Sequence, residues 1–240
     1  ALLSDAADPF LEEIAQKAAV QTRKYFGKTV KIFTPLYISN YCQNKCAYCS
    51  FASQHHINRR HLNLDEIRAE AEKISSSGIR HILLLTGEAP SLVTLQYIKD
   101  AVKILREYFS SVAIEIYPLT SEAYAELIEE GVDGLTIYQE TYNQLLYKKL
   151  HTGGPKQDYR FRLEAPERAS AQGMRVITIG ALFGLYNWRS EAFFTILHAS
   201  FLQKKFPSIE LCLSFPRLRP LAGEFNTSYL VSDRQFVRMM

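Results

Sequence analysis

The chain has 240 residues, a net charge of +3 and a hydrophobic fraction of 47%, enough for one large domain with a sizeable core or two small ones. The mild basicity is no argument for nucleic acid, no apolar run is long enough to span a bilayer, and no charged-then-apolar leader opens the chain. Three cysteines crowd into one segment while Cys212 sits alone in the apolar run 209–213, which suits a reducing cytoplasmic compartment better than a secreted disulfide scaffold.

In chain order, Asp8, Pro9, Glu12 and Glu13 predict a helix start, with the helix running to about Tyr25 and stopping at Gly27. Residues 30–39 read as a strand whose ladder part follows Pro35. Asn63 and Glu66 form a capping box for a helix ended by Gly78, and 79–85 is a strand buried on both faces. Ser91 is expected to cap the next amphipathic helix. Strands at 112–117, 134–138, 175–179 and 209–215 alternate with helices at 121–130, 142–149, 159–172 and 189–205. The last residues read as helical turns capped by Ser232, and the sequence opens on Ala, so a piece of a longer protein is expected. Residues 1–28 are expected to form a helical extension and 29–240 the core.

Strands alternating with helices imply parallel βα units and right-handed crossovers. Six such units predict an α/β fold, a TIM-type barrel lacking its C-terminal part. No G-x-G-x-x-G follows any strand, which disfavours a doubly wound dinucleotide fold.

The segment Cys42-x3-Cys46-x2-Cys49 follows the first strand. Three thiolates this close can share one metal centre. A cubane iron–sulfur cluster normally takes four cysteines, one per iron, so three leave one iron open. A zinc site completed by His55 or His56 is the rival. A nucleic-acid module around the basic cluster 55–61 is the non-enzymatic alternative, and a solvated loop is its ordinary explanation. His198, among apolar neighbours, and Cys212 are read as structural.

In α/β barrels the chemistry sits at the C-terminal ends of the strands. There lie the three cysteines, Thr86-Gly87-Glu88, Gln139-Glu140 and Arg217-Leu218-Arg219. Alternation in the third strand sets Glu115 and Tyr117 toward the barrel mouth. Gly87 permits close backbone approach and Glu88 supplies charge for an ammonium group. Gln139 and Glu140 suit a ribose, while Arg162, Arg217 and Arg219 are candidate forks for a carboxylate.

The cysteine spacing, with Tyr48 before the last cysteine, resembles the radical SAM signature. The segments 35–42, 86–88, 138–142 and 214–220 resemble the aromatic-amino-acid lyase branch of that superfamily. The resemblance is strongest to the tyrosine lyases of thiamine thiazole biosynthesis, with those of [FeFe]-hydrogenase maturation as siblings. A biotin-synthase-like enzyme is a further alternative.

The resemblance implies a [4Fe–4S] cluster on Cys42, Cys46 and Cys49, and S-adenosyl-L-methionine as cofactor. It places Tyr48 by the adenine, Gly87 and Glu88 by the methionyl amine, Glu140 by the ribose and Arg162 by the methionyl carboxylate. Arg217, or Arg219, would hold the carboxylate of L-tyrosine. The implied reaction breaks the Cα–Cβ bond through a 5′-deoxyadenosyl radical, giving 2-iminoacetate and p-cresol. Implied partners are a flavodoxin- or ferredoxin-type electron donor and the thiazole synthase that accepts the imine, with no nucleic acid and no membrane.

Overall fold

The computed structural model describes residues 2–219 and 225–240. Pro220, the last residue of the segment 214–220, lies outside them.

The first strand, β1 (Thr34–Ser39), leads into the cysteine loop, and the chain then alternates α2 (Leu64–Ser76), β2 (His81–Thr86), α3 (Leu95–Tyr108), β3 (Ser111–Glu115), α4 (Ser121–Glu129) and β4 (Gly134–Glu140). After the short helices α5 (Gln144–Leu150), α6 (Tyr159–Leu163) and α7 (Ala165–Ala171) come β5 (Val176–Ala181), α8 (Trp188–Lys205), β6 (Glu210–Ser214) and α9 (Asp233–Met239). All five strand pairings are parallel, in the order β1-β2-β3-β4-β5-β6. The sheet is an open six-stranded part of a TIM-type barrel. Among the described residues no helix is long and apolar enough to cross a membrane.

One core lies between the sheet and its helices. On β2 and β3 the side chains of Ile82, Leu84, Val112 and Ile114 meet Ile67 of α2 and Ile98, Val102 and Leu105 of α3, all fully or nearly fully buried. The alternation that sends these side chains outward to the helices sends Leu85, Glu115 and Tyr138 to the inner face.

Several boundaries differ from expectation. Thr94, not Ser91, caps α3 by accepting from Tyr97 N–H, because Leu92 and Val93 are still turned back onto the Ala89 carbonyl. The stretch 159–172 breaks at Glu164 into α6 and α7, with Pro166 at the start of the second, since proline suits a first turn and not a helix interior. Asp8 and Pro9 lie in a 3-10 turn, Asp5–Phe10, and α1 (Leu11–Phe26) follows it. Cys212 is half-buried rather than a core residue, because it faces the open concave side near Thr178. His198 is held by the Tyr142 hydroxyl at 3.0 Å.

No residue of α1 is buried. The turn before it is tied down instead. Arg189 of α8 donates through Nε to the Leu3 carbonyl at 2.6 Å and pairs with Asp5, and Arg238 of α9 pairs with Asp8.

Candidate active site at the strand C-termini

Cys42, Cys46 and Cys49 are free thiols lining one wall of a cavity of about 360 Å³ at the C-terminal ends of β1 to β4. The cysteine loop is held by main-chain bonds to the last residue of α5 and the segment after it. Ala47 N–H donates to Leu150 O at 2.9 Å, Lys45 N–H to Gly153 O at 2.8 Å and Thr152 N–H to Lys45 O at 3.1 Å. Gly154 has φ +89, and a Cβ there would stand 2.4 Å from Asn44 Oδ1. Only glycine lets the turn pass so close.

Asn44, almost fully buried, joins three loops. Its Nδ2 donates to Glu88 Oε2 at 2.6 Å, and its Oδ1 accepts from Lys156 N–H at 2.9 Å. On the β2 side, Gly87 N–H donates to Ser39 O at 2.9 Å, and a Cβ on Gly87 would meet Tyr41 O at 2.2 Å. The two loops therefore touch backbone to backbone.

At the end of β4 the register shifts between Tyr138 and Glu140, and Glu140 takes φ 68. A left-handed conformation in a non-glycine residue costs of order 1–3 kcal/mol and marks a site to inspect. Glu140 Oε1 accepts from Lys156 Nζ at 2.6 Å and Arg162 Nη2 at 3.3 Å; Glu140 and Arg162 are buried, and the Lys156 side chain is 14% exposed. Burial works against the Glu140 charge, but Lys156 and Arg162 outweigh it and hold the carboxyl below its ordinary range. Arg162 also donates through Nε to Tyr138 O at 2.6 Å, so two of its three nitrogens are engaged.

Glu115 lines the same cavity and accepts no hydrogen bond among the described residues. Burial, then the Glu140 charge, pushes its carboxyl up to about 7. Burial likewise pushes the Cys46 thiol up to about 12, so the thiolate form there needs a bound metal to sustain it.

The structure thus brings Cys42, Cys46, Cys49, Thr86, Gly87, Glu88, Glu115, Tyr117, Glu140 and Arg162 to one cavity. The Tyr117 hydroxyl is already engaged with Val93 O at 2.5 Å. Tyr48 and Gln139 are buried outside the cavity lining. The Tyr48 hydroxyl is 2.8 Å from His151 Nε2, and Gln139 Nε2 donates to Tyr159 O at 3.5 Å. Arg217 lies apart as well, donating to Asp233 at 2.5 Å and to Val231 O at 3.3 Å, while Arg219 is exposed. Reading the sequence alone missed Asn44, His151 and Lys156. The one signal for Lys156 was the preceding Gly153-Gly154-Pro155, a turn too tight for a mere connector.

The donor set suits a cluster more than a single ion. A cubane spreads its thiolates over separate irons, and here three thiols share one wall. The Thr86 hydroxyl oxygen, on the lining, is buried without a hydrogen-bond partner among the described residues, as expected of a group awaiting a ligand.

Comparison with known proteins agrees with this geometry. The chain is 41% identical to 2-iminoacetate synthase of Escherichia coli (strain K12) over 239 residues, 99% of this chain and 63% of that protein. Its fold matches the crystal structure of HydG, a maturase of the [FeFe]-hydrogenase, with TM-score 0.95 and 32% identity over 99% of this chain and 54% of that one. HydG from Carboxydothermus hydrogenoformans gives TM-score 0.90 and 35% identity, covering 98% of this chain and 55% of that one. The chain therefore spans a little over half to just under two thirds of the length of these relatives. Residues 36–195 match the Radical SAM superfamily, whose members use a [4Fe–4S] cluster and S-adenosylmethionine. That match runs over most of the sequence and takes in the three cysteines, the Gly87 loop, Glu140 and Arg162: the chain belongs to the radical SAM superfamily.

Proposed function

We propose that this chain is the catalytic part of a tyrosine lyase of the 2-iminoacetate synthase type, breaking the Cα–Cβ bond of L-tyrosine to give 2-iminoacetate and p-cresol for the thiazole of thiamine. The observation that carries this is the 41% identity to 2-iminoacetate synthase over 239 residues, joined to a three-cysteine cavity. Residues 29–240 form the core in this reading and 1–28 an extension.

When bound, the cluster and S-adenosylmethionine supply a 5′-deoxyadenosyl radical. The chain's own residues position and enclose. Cys42, Cys46 and Cys49 hold the cluster. The Gly87 backbone, Thr86 and Glu88 receive the methionyl ammonium. Arg162 offers its third nitrogen to the methionyl carboxylate, and Glu140 accepts from the ribose. Tyr48, its ring packed behind the loop, meets the adenine through its main chain.

Glu115 takes the proton that the substrate ammonium must lose before an N–H hydrogen atom is abstracted. Arg217, with Arg219 beside it, receives the substrate carboxylate in exchange for Asp233, an exposed carboxylate that already shows which ligand class this guanidinium accepts. A cytoplasmic location, a flavodoxin- or ferredoxin-type reductant and a thiazole synthase accepting the imine complete the proposal.

The test is anaerobic reconstitution followed by addition of S-adenosylmethionine, reductant and tyrosine to the chain and to a form extended to the relatives' length. About four irons per chain and p-cresol from the extended form support it. A tightly held single zinc, or cleaved cofactor without p-cresol, defeats it. A role in [FeFe]-hydrogenase maturation is the second reading, favoured by the TM-score of 0.95 to HydG; release of carbon monoxide or cyanide from tyrosine would select it.

A further inference from the structure

Two stretches without acidic residues meet on the outside of the cysteine loop. Residues 41–64 and 141–157 contain no Asp or Glu. Main-chain bonds join them, Ala47 N–H to Leu150 O at 2.9 Å and Lys45 N–H to Gly153 O at 2.8 Å, and Cys46 is bridged to His151. Lys45, Lys148 and Lys149 are exposed along this seam, and none of them forms an ion pair among the described residues. On α5, Leu145 is 79% exposed. Residues three and four apart on a helix share a face, so Leu145, Lys148 and Lys149 present one surface, an apolar spot beside two cations, with Lys45 across the seam.

The seam is the back of the thiol wall. Ala47, Leu146 and Leu150 pack in one cluster with Cys46 and Cys49, and none of the three lines the cavity. From Leu150, at the end of the exposed helix, a single hydrogen bond reaches Ala47, the neighbour of Cys46. In the proposed function the cavity side is taken by cofactor and substrate, so an electron bound for the thiolate centre has to arrive from this outer side.

We propose that Lys45, Lys148, Lys149 and Leu145 form the docking surface for an acidic one-electron carrier protein. This rests on the reading that Cys42, Cys46 and Cys49 hold a cluster reduced from outside. The carrier gives up one electron, the cluster gains it, and no bond or proton changes hands. Electron-transfer encounters are small and weak. They take an apolar contact with a polar rim, and opposite charge brings the partners together quickly. A nucleic acid would ask for a longer basic stripe with interleaved aromatics, whereas the exposed residue beside these lysines is an aliphatic leucine.

The test uses the reconstituted form extended to the relatives' length and two strongly acidic probes, a flavodoxin and a plant-type ferredoxin. Calorimetry gives the affinity for each, and rapid mixing gives the rate at which each reduced carrier, or dithionite, reduces the cluster. Lys148→Glu with Lys149→Glu should weaken binding and slow reduction by the effective carrier about tenfold at low ionic strength, with iron content and the dithionite rate unchanged. Added salt should weaken wild-type binding in the same way. Arg23→Glu with Lys24→Glu, an exposed pair on α1, makes the same change in net charge elsewhere and should leave both readouts within about twofold. Equal losses in the two double variants, or a loss that persists with dithionite, overturn the proposal. So does a short DNA duplex that binds the wild type more tightly than either carrier and is lost with the same two lysines. Should the reversed pair fail to load iron, Lys148→Gln with Lys149→Gln decides, and unmoved affinity there overturns the proposal. A wild type that loads no iron fails the cluster reading itself, and this proposal with it.

Discussion

Asn44 and Glu88 are joined by a buried hydrogen bond of 2.6 Å between loops that follow different strands. The bond ties the cysteine loop to the loop proposed to receive the cofactor's ammonium. Asn44→Ala removes this donor and the acceptor for Lys156 N–H together. A hydrogen bond to a charged group is worth about 1.5–3 kcal/mol, so urea unfolding should show a loss of about 2–4 kcal/mol. Asn44→Asp should lose more, since it sets carboxylate against carboxylate.

Gly87→Ala places a methyl group 2.2 Å from Tyr41 O, a backbone atom that cannot rotate away. The cysteine loop must shift, and iron incorporation should fall several-fold. Gly78→Ala is the comparison. It has φ +88 but no atom within 4 Å of the new Cβ, so it should cost only about 1 kcal/mol and leave iron content unchanged. Equal iron loss in both would deny the steric account.

Glu115 gives the pH dependence. Its carboxyl is raised by burial, then by Glu140, to about 7 from an ordinary 4.5. The folded protein thus binds this proton more tightly than the unfolded chain. The associated stability is complete below about pH 4.5 and is lost as pH rises through 7. Relative to Glu115→Gln, the wild type should lose at most about 3 kcal/mol across that window in denaturant titrations. As a base, Glu115 should give an acid limb near pH 7 in turnover, and Glu115→Gln should abolish that limb.

Arg217 separates structure from chemistry. Its bonds to Asp233 and the Val231 carbonyl hold the start of α9. Asp233→Asn weakens that hold while leaving the guanidinium in place, so tyrosine KM should stay within about twofold. Arg217→Ala should raise KM at least tenfold in the extended form if the guanidinium takes the substrate carboxylate. Matching small effects in both would confine Arg217 to α9.

The strands were legible because their apolar runs are bounded by Gly, Pro and cap residues, and a parallel order follows from alternation. The cysteines and Gly87-Glu88 were legible because their spacing or composition is chemically unusual. Lys156 and His151 were not. A lysine turned into a cavity and a surface lysine look alike in sequence, and what Lys156 turns to is Glu140, 16 residues away along the chain and held at φ 68. Likewise nothing local shows that Tyr48, beside a thiol, turns its hydroxyl to His151.

The two outer strands differ in how they end the sheet. Beside β1, the segment 60–62 pairs with its last residues, and Pro35 withholds a donor. Among the described residues β6 pairs with β5 alone, so its far side is a row of main-chain groups without a ladder. Such a row is a template for another strand. Handled as an isolated polypeptide, the chain should self-associate with rising concentration through β6, and a lysine in place of Leu213, which is 38% exposed on that strand, should keep it dispersed.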